Sequence, residues 1–435
     1  MYLTSVSKLK LSKEQFIVID TMAYRAKALY NSSLYEINKH FQDTKEYLNY
    51  NHTDLMMKTH QENTVYKSLP SALSQQLIKK LHKDYSSFFA LLKKKQNKDY
   101  DKQIDTPKFK RKDARKELIY TKSKTSSSFI FKDGWIYITV SEDLHKGRLK
   151  LCKVPEYLKD KDFDSEIKYI EIVPKLDYYE LHITYKVELE TPNKLNSNWC
   201  SIDLGLNNLC TVTSNVHTPY LINGRAIKSI NQKFNKKIAK LKALTKKSQN
   251  KFSSKELNRL FSKRGTKLNN EIHKISDFIV KSVLEKKIDY VVIGYNKEWK
   301  QNINIGKRNN QNFVQIPFAK ILNHLTYKLQ LHGIEVHLQE ESYTSKCSYF
   351  DNEEIKKHET YKGNRNKRGL FITSEGIIIN ADVNGSLNIH RKFISKAAND
   401  VPKEPVGMGL VMNPIKINLE TSSSSDFVLS LIQSL

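Results

Sequence analysis

After Trp199 the chain alternates short apolar runs with long amphipathic ones, and this alternation restricts the architecture more than any other feature. WCSIDLGL (199–206), YVVIGYN (290–296) and IEVHLQ (334–339) read as strands. A Lys-rich stretch over 226–290 reads as helical, as does PFAKILNHLTYKLQLHG with Gly333 at its C-cap. ADVNGSLNIHRK begins a further helix. Strand and helix alternating in this way predict a sheet covered by helices. No internal repeat is visible.

The first half has a different rhythm. Residues 1–12 read as a short strand, and Ser12 followed by Glu14 opens a helix. Helical spacing runs through 13–43 (Leu29, Leu34, Ile37, Phe41) and 70–96 (Leu77, Leu81, Phe88, Leu92), with Pro70 placed to begin the second. Together these predict a small helical bundle, closed by the solvated charge run LLKKKQNKDYDKQ. From 105 to 190 the pattern is β. FIFKDGWIYITV (129–140) is a hairpin turning at Asp133-Gly134, and EIKYIEIVP and YYELHITYKVELE alternate as strands. An antiparallel barrel or sandwich follows from it. The stretch after 396, with VPKEP and TSSSS, is expected to be a flexible tail.

Charge bears on partners. The 435 residues hold 73 Lys+Arg against 46 Asp+Glu, a formal net charge of +27. Self-repulsion of that size is relieved by a polyanion, and Lys or Arg near a phosphate releases condensed counterions. The 23 Tyr, 18 Phe and 3 Trp supply rings for stacking on unpaired bases. A basic but solvated surface is the competing explanation. Basic residues crowd the entry to the β region in KFKRKDARK (108–116), and Lys falls on nearly every face of the helices at 228–287. The four cysteines (152, 200, 210, 347) have no CxxC spacing, so neither a zinc ribbon nor a disulfide framework is expected. No signal peptide and no apolar run of about 18 residues is visible, which points to a cytoplasmic, nucleoid-associated protein with no membrane partner.

Acidic residues interrupt the basic background at three element ends. Asp203 breaks the apolar strand WCSIDLGL, and a carboxylate there costs several kcal/mol unless paired or metal-bound. Alone it could equally cap a turn. Asp382, taken alone, is an ordinary N-cap, although Asn384, Asn388 and Arg391 crowd polar groups into the same helix. Glu340 and Glu341, taken alone, are a solvated strand-end pair. Three acids ending three elements of one α/β domain form a set that divalent metal would explain. Two Mg²⁺ roughly 4 Å apart can activate water and stabilise the leaving oxygen of a phosphodiester.

Seven blocks, LYNSSLYEINKHF, SFFALLKKK, SIDLGLNNLCTVTSN, LINGRAIKSINQ, GYNKEWKQNINIGKRNNQNFVQIPF, EESYTSK and NADVNGSLNIHRK, resemble the TnpB family over nearly the whole chain. These are RNA-guided nucleases of insertion sequences, related to the type V CRISPR effectors. The resemblance implies a multidomain α/β protein. A β-barrel wedge domain would take 1–12 and 105–195, and a helical recognition domain 13–104. A RuvC-like nuclease domain of the RNase H fold would take 196–395, with a nucleic-acid-binding insertion at 346–378.

The family's first and third catalytic carboxylates fall on Asp203 and Asp382. The usual place of the second, at the end of the central strand, is Gly294, which cannot bind metal. A rearranged subgroup carries that glutamate just before a Thr-Ser-Lys motif. Spacing to Thr344-Ser345 points to Glu341, with Glu340 the fallback, even though strict strand alternation sets Glu340 with Ile334, Val336 and Leu338. Strand ends often bulge, so the motif spacing is preferred. Of the family's four-Cys zinc ribbon only Cys347 remains, and a lone Cys reads as a small buried apolar residue, so no zinc is expected.

The resemblance further implies two Mg²⁺ (Mn²⁺ as substitute) on Asp203, Glu341 and Asp382. The partners would be a guide RNA from the transposon end and a double-stranded DNA target, bound by a monomer. Nucleic-acid contacts are expected from Lys108, Lys110, Arg111 and Lys112, and from Lys236 and Lys237. Others are expected from Lys300, Lys307 and Arg308, and from Lys346, Arg365, Lys367 and Arg368. Gly294 also motivates a nuclease-dead, RNA-guided repressor. A strand-transfer transposase is a third reading, for which the sequence offers no separate end-binding module.

Overall fold

The computed structural model describes residues 1–59, 64–122, 127–159, 166–191, 197–249, 254–296, 306–365, 367, 369–396 and 413–419. They fall into two compact units, Met1–Val187 and Glu188–Leu435. Among the described residues no helix is long and apolar enough to cross a membrane.

In the first unit, β1 (Tyr2–Lys8) leads into α1 (Lys13–Thr44). Ser12 and Gln15 form a reciprocal capping box at its start, and Lys45 ends it in the left-handed region. One face buries Ile19, Met22, Ala26, Tyr30, Leu34 and Ile37 at three- and four-residue spacing. Two short helices, α2 (Tyr50–Thr59) and α3 (Thr64–Lys67), precede α4 (Ser71–Gln96), which starts directly after Pro70. The strands are β2 (Leu118–Thr121), β3 (Phe129–Lys132), β4 (Trp135–Thr139), β5 (Arg148–Lys153), β6 (Ile167–Pro174) and β7 (Tyr179–Lys186). Asp133 (φ 50°) and Gly134 (φ 75°) make the primed turn of the β3–β4 hairpin.

These strands form two antiparallel sheets, β1-β7-β6-β2 and β3-β4-β5, and not the expected closed barrel. Of their free edges, that of β5 is taken by a side chain from α1: Gln15 donates to the Lys150 carbonyl at 2.6 Å, at a place where another strand would have to pair. Helices and sheets of this unit share one apolar core.

The second unit is built on a six-stranded sheet of order β12-β11-β8-β9-β10-β15. β8 (Trp199–Leu204), β9 (Asn208–Ser214) and β10 (Tyr220–Asn223) form an antiparallel meander. α5 (Arg225–Gln249) and α6 (Lys255–Glu285) follow, two helices where the Lys-rich pattern read as one stretch. β11 (Tyr290–Gly294) then returns parallel to β8, on the side away from β9. After α7 (Lys307–Gln315) and α8 (Phe318–Leu331), β12 (Glu335–Gln339) adds parallel to β11. Gly333, at φ 68°, ends α8 in the conformation glycine favours.

A small hairpin, β13 (Leu370–Ile372) and β14 (Ile378–Asn380), feeds α9 (Ala381–Ile394), which lies on the sheet. Residues 415–417, within the stretch expected to be flexible, form β15 parallel to β10. Ile417 joins the core and its carbonyl accepts from Asn223. The rest of that stretch, 397–412 and 420–435, lies outside the described residues.

Candidate active site

The connections reverse direction between β8 and β11. The chain runs outward through β9 and β10, then outward the other way through β11 and β12. β8 and β11 are adjacent and parallel, so they end on the same side, and α/β sheets bind ligands in the crevice beyond the carboxyl ends of such strands. Asp203 lies near the end of β8, and the pairing of Ile293 with Ile202 makes Gly294 its neighbour on β11.

α9 brings the second acid. Its N-cap is Asn380, whose side chain accepts from the backbone N–H groups of Asp382 and Val383. Asp382 is therefore not the capping residue that its position suggested, and its carboxylate turns elsewhere. One oxygen accepts from Asn208 at 2.7 Å, and the other lies 3.9 Å from the Arg365 guanidinium. The helix approaches the sheet closely because Gly385 and Ser386 face it. The Ser386 hydroxyl donates to the Ser201 carbonyl and the Ser201 hydroxyl to the Ser386 carbonyl, and a Cβ at Gly385 would stand 3.2 Å from the Asp203 carboxylate. Burial first, and then the charge of Asp382, push the Asp203 carboxyl up to about 7; Arg365 works in the opposite direction.

Glu341 supplies the third acid. Its carboxylate lies over Gly294. A Cβ there would overlap Glu341 Oε1 and stand 2.6 Å from Ile389 Cδ1, so only glycine leaves the space. Asn296 holds the other oxygen, Oε2, at 3.0 Å and accepts from the Glu341 N–H at 3.1 Å. Thr344 fixes the following turn, donating to the Glu341 carbonyl through both N–H and hydroxyl. Glu340 points away: it is exposed, pairs with Lys392 at 2.8 Å and accepts from Ser342. Strand parity itself holds, with Glu340 on the face of Leu338, which is 52% exposed, and Glu341 on the face of Gln339, which is buried; at this sheet edge the apolar residue does not mark the inward face.

The donor chemistry fits a hard divalent cation. Burial and the charge of Asp382 disfavour a bare Asp203 carboxylate, which a cation would offset, and Mg²⁺ is often held by one or two carboxylates, its own waters and a substrate phosphate. Among the described residues, no three His, Cys, Asp or Glu side chains stand close enough together to enclose one ion by themselves. Asp203 and Asp382 are thus the interacting pair, with Glu341 over the adjoining strand.

Asn384, Asn388 and Arg391, which crowd α9 in the sequence, do not join the acids. They clamp the turn after Glu341, bonding to the carbonyls of Thr344, Cys347, Ser348 and Tyr349 and to the Tyr349 N–H. Cys347 is buried, its Sγ 3.4 Å from the Glu354 carbonyl. Glu353 holds the insertion together: its buried carboxylate accepts from the backbone N–H groups of Ser348 (2.8 Å) and Lys362 (2.9 Å). Neither Glu353 nor Asn296 was singled out by sequence: Asn296 acts through a partner 45 residues away, and Glu353 through backbone N–H groups of an irregular loop that no periodicity marks.

Of the basic residues expected to meet nucleic acid, Lys108, Lys110, Arg111, Lys112, Lys236, Lys237, Lys346 and Lys367 are exposed. Asn31 clasps the backbone of Lys110 through both N–H and carbonyl. Arg365 is exposed too but reaches the Ala381 carbonyl and Asp382. Lys300 and Arg368, and the side chains of Lys307 and Arg308, lie outside the described residues.

Two family models match the chain: OrfB_IS605, described as a probable transposase, over 182–300, and a Cas12f1-like TNB domain over 318–389. A TnpB-like protein, ORF457 of Acidianus two-tailed virus, is 25% identical over 369 residues, covering 78% of this chain and 76% of that one. Two solved structures share the fold. One is a Cas12f1–sgRNA–target DNA complex (TM-score 0.59, 15% identity, 87% of this chain and 83% of that one). The other is the mini-RNA-guided endonuclease CRISPR-Cas_phi3 (TM-score 0.55, 12% identity, 94% and 93%).

Proposed function

We propose that this chain, a member of the TnpB family, is an RNA-guided DNA endonuclease whose hydrolytic site is Asp203, Glu341 and Asp382. One observation carries the reading: Glu341 fills the space over Gly294, beside Asp203, where a glutamate of the central strand would otherwise reach. The strand order, a three-stranded meander followed by two parallel additions on its far side, supports a RuvC-like, RNase H-type nuclease domain over 196–395. The helices of 13–104 and the sheets of 1–12 and 105–195 would serve as recognition and wedge domains.

Divalent ions, Mg²⁺ or Mn²⁺, when bound would activate water and stabilise the leaving oxygen. The chain's own residues prepare that step. Burial of Asp203 beside the charge of Asp382 makes its bare carboxylate costly and so favours a bound cation. Asn208 fixes one oxygen of Asp382. Arg365 places positive charge beside the same carboxylate, where a scissile phosphate would approach. Sequence reading would be left to the guide RNA, with the protein gripping backbones through its basic surface.

Gly294 was the ground for a nuclease-dead repressor, and the carboxylate lying over it argues for the active enzyme. The test is plasmid cleavage by the protein co-expressed with its adjacent transposon-end RNA, on targets with a randomised flank. Asp203→Ala, Glu341→Ala and Asp382→Ala should each abolish cutting and retain RNA binding, while Glu340→Ala should still cut. A wild-type complex that binds its target without cutting would leave the repressor standing.

A further inference from the structure

We propose that Asn296 is the positioning residue of the relocated glutamate, the group that turns Glu341 from a loop carboxylate into an aimed ligand. The inference rests on the nuclease reading above. β11 and β12 are still in ladder contact just before the two residues meet: the Tyr295 N–H donates to the Gln339 carbonyl at 2.8 Å. One residue on, the ladder is replaced by a side chain. Asn296 Oδ1 takes the Glu341 N–H at 3.1 Å, and Asn296 Nδ2 donates to Glu341 Oε2 at 3.0 Å.

The two bonds do different jobs. The first continues the strand pairing. The backbone of Glu341 is also held from the other side, where Thr344 N–H (3.1 Å) and hydroxyl (2.8 Å) both donate to its carbonyl. The second bond is not needed to hold the chain path. It fixes the rotation of the carboxylate about its last torsion, a broad one in a free glutamate. With Oε2 on the amide, Oε1 is the oxygen laid over Gly294, the β11 neighbour of Asp203.

A glutamate on the central strand would be oriented by the strand itself. A glutamate arriving from a turn needs an external donor, and an amide supplies it without adding charge. Gly294 and Asn296 are therefore complementary, one clearing the space and the other aiming the group that enters it.

The test uses the full chain with its guide RNA and measures target binding, cleavage rate against Mn²⁺ concentration, Mn²⁺ binding by electron paramagnetic resonance, and melting. Ions held by RNA are subtracted with Asp203→Ala. Groups that orient metal ligands typically contribute 10–100-fold. Asn296→Ala should bind target normally, cleave about 10–100-fold more slowly at low Mn²⁺, need correspondingly more Mn²⁺ for half-maximal rate, and bind Mn²⁺ more weakly. Asn296→Asp keeps the oxygen that accepts from the Glu341 N–H but loses the donor. It also sets a like charge against Glu341 Oε2, so it should lose cleavage while target binding is retained.

Unchanged rate and Mn²⁺ dependence in Asn296→Ala, or full cleavage by Asn296→Asp, would overturn the inference, provided Glu341→Ala is dead. Full cleavage by Glu341→Ala would overturn the nuclease assignment of that residue and this inference with it.

Discussion

A side chain at position 294 would compete with the Glu341 carboxylate for one small volume, walled on its other side by Ile389. Gly294→Ala is the smallest change that tests this. The added methyl displaces the carboxylate, so cleavage should fall at least tenfold, about 1.4 kcal/mol in the barrier, while target binding measured by gel shift is retained. If the alanine variant cuts as the wild type does, the carboxylate is not needed in that space. At this scale the sequence was informative where a residue offends its surroundings. A carboxylate in the apolar run WCSIDL announces itself, and a glycine where a glutamate is usual asks for a substitute. It was uninformative where two acids are adjacent. Glu340 and Glu341 have the same chemistry, and only the Lys392 pairing of one and the Asn296 clasp of the other separate them.

α9 organises the second unit as an element. Its N-terminal turn presents Asp382, its small residues let it sit close on β8, and its later polar side chains hold the turn after Glu341. The insertion at 346–378 depends in turn on the Glu353 carboxylate, which gathers two backbone N–H groups. Glu353→Ala leaves the buried Ser348 N–H unsatisfied and frees the Lys362 N–H, a loss of about 1–3 kcal/mol locally. Limited proteolysis should then cut within 348–362 well before the rest of the unit, while β8 and β9 stay protected in hydrogen exchange.

In the first unit, Glu117 follows another rule. Burial works against its charge, but hydrogen bonds and charge from Lys116 and Lys80, each at 2.8 Å, outweigh it and hold its pKa at about 2, below the ordinary 4.5. A depressed carboxyl pKa stabilises the fold above the unfolded value and ceases to do so as pH falls through the folded one. Wild type should therefore lose roughly 2 kcal/mol between about pH 5 and 2 that Glu117→Gln does not lose, read from urea midpoints at each pH. The long helices and about half of the strands were legible from apolar spacing and caps, while α2, α3 and α7 were not. The open sheets in place of a barrel were not, because closure is decided by which edges meet.

Over the whole chain the charge of +27 remains the broadest constraint. A protein that neutralises six to ten phosphates loses about 10³–10⁵ in affinity between 50 and 200 mM salt. Guide RNA affinity should fall by at least that order here, and Lys236→Ala with Lys237→Ala on α5 should lower the salt slope by about one to two without changing which RNA is preferred. A slope near zero would mean that the positive surface is merely solvated.

The sequence by itself pointed to a polyanionic partner and marked the α/β alternation after Trp199, the long helices and the two aspartates as candidates, because each is a local or compositional property. Only the tertiary structure decided that Asp382 is not a cap, that Glu341 rather than Glu340 enters the crevice, and that Asn296, Asn208 and Glu353 hold these pieces in place. The contacts that place Glu341 and Asp382 join groups 45 and 174 residues apart, and pairing across such separations is fixed by strand register and close packing, which no local pattern encodes.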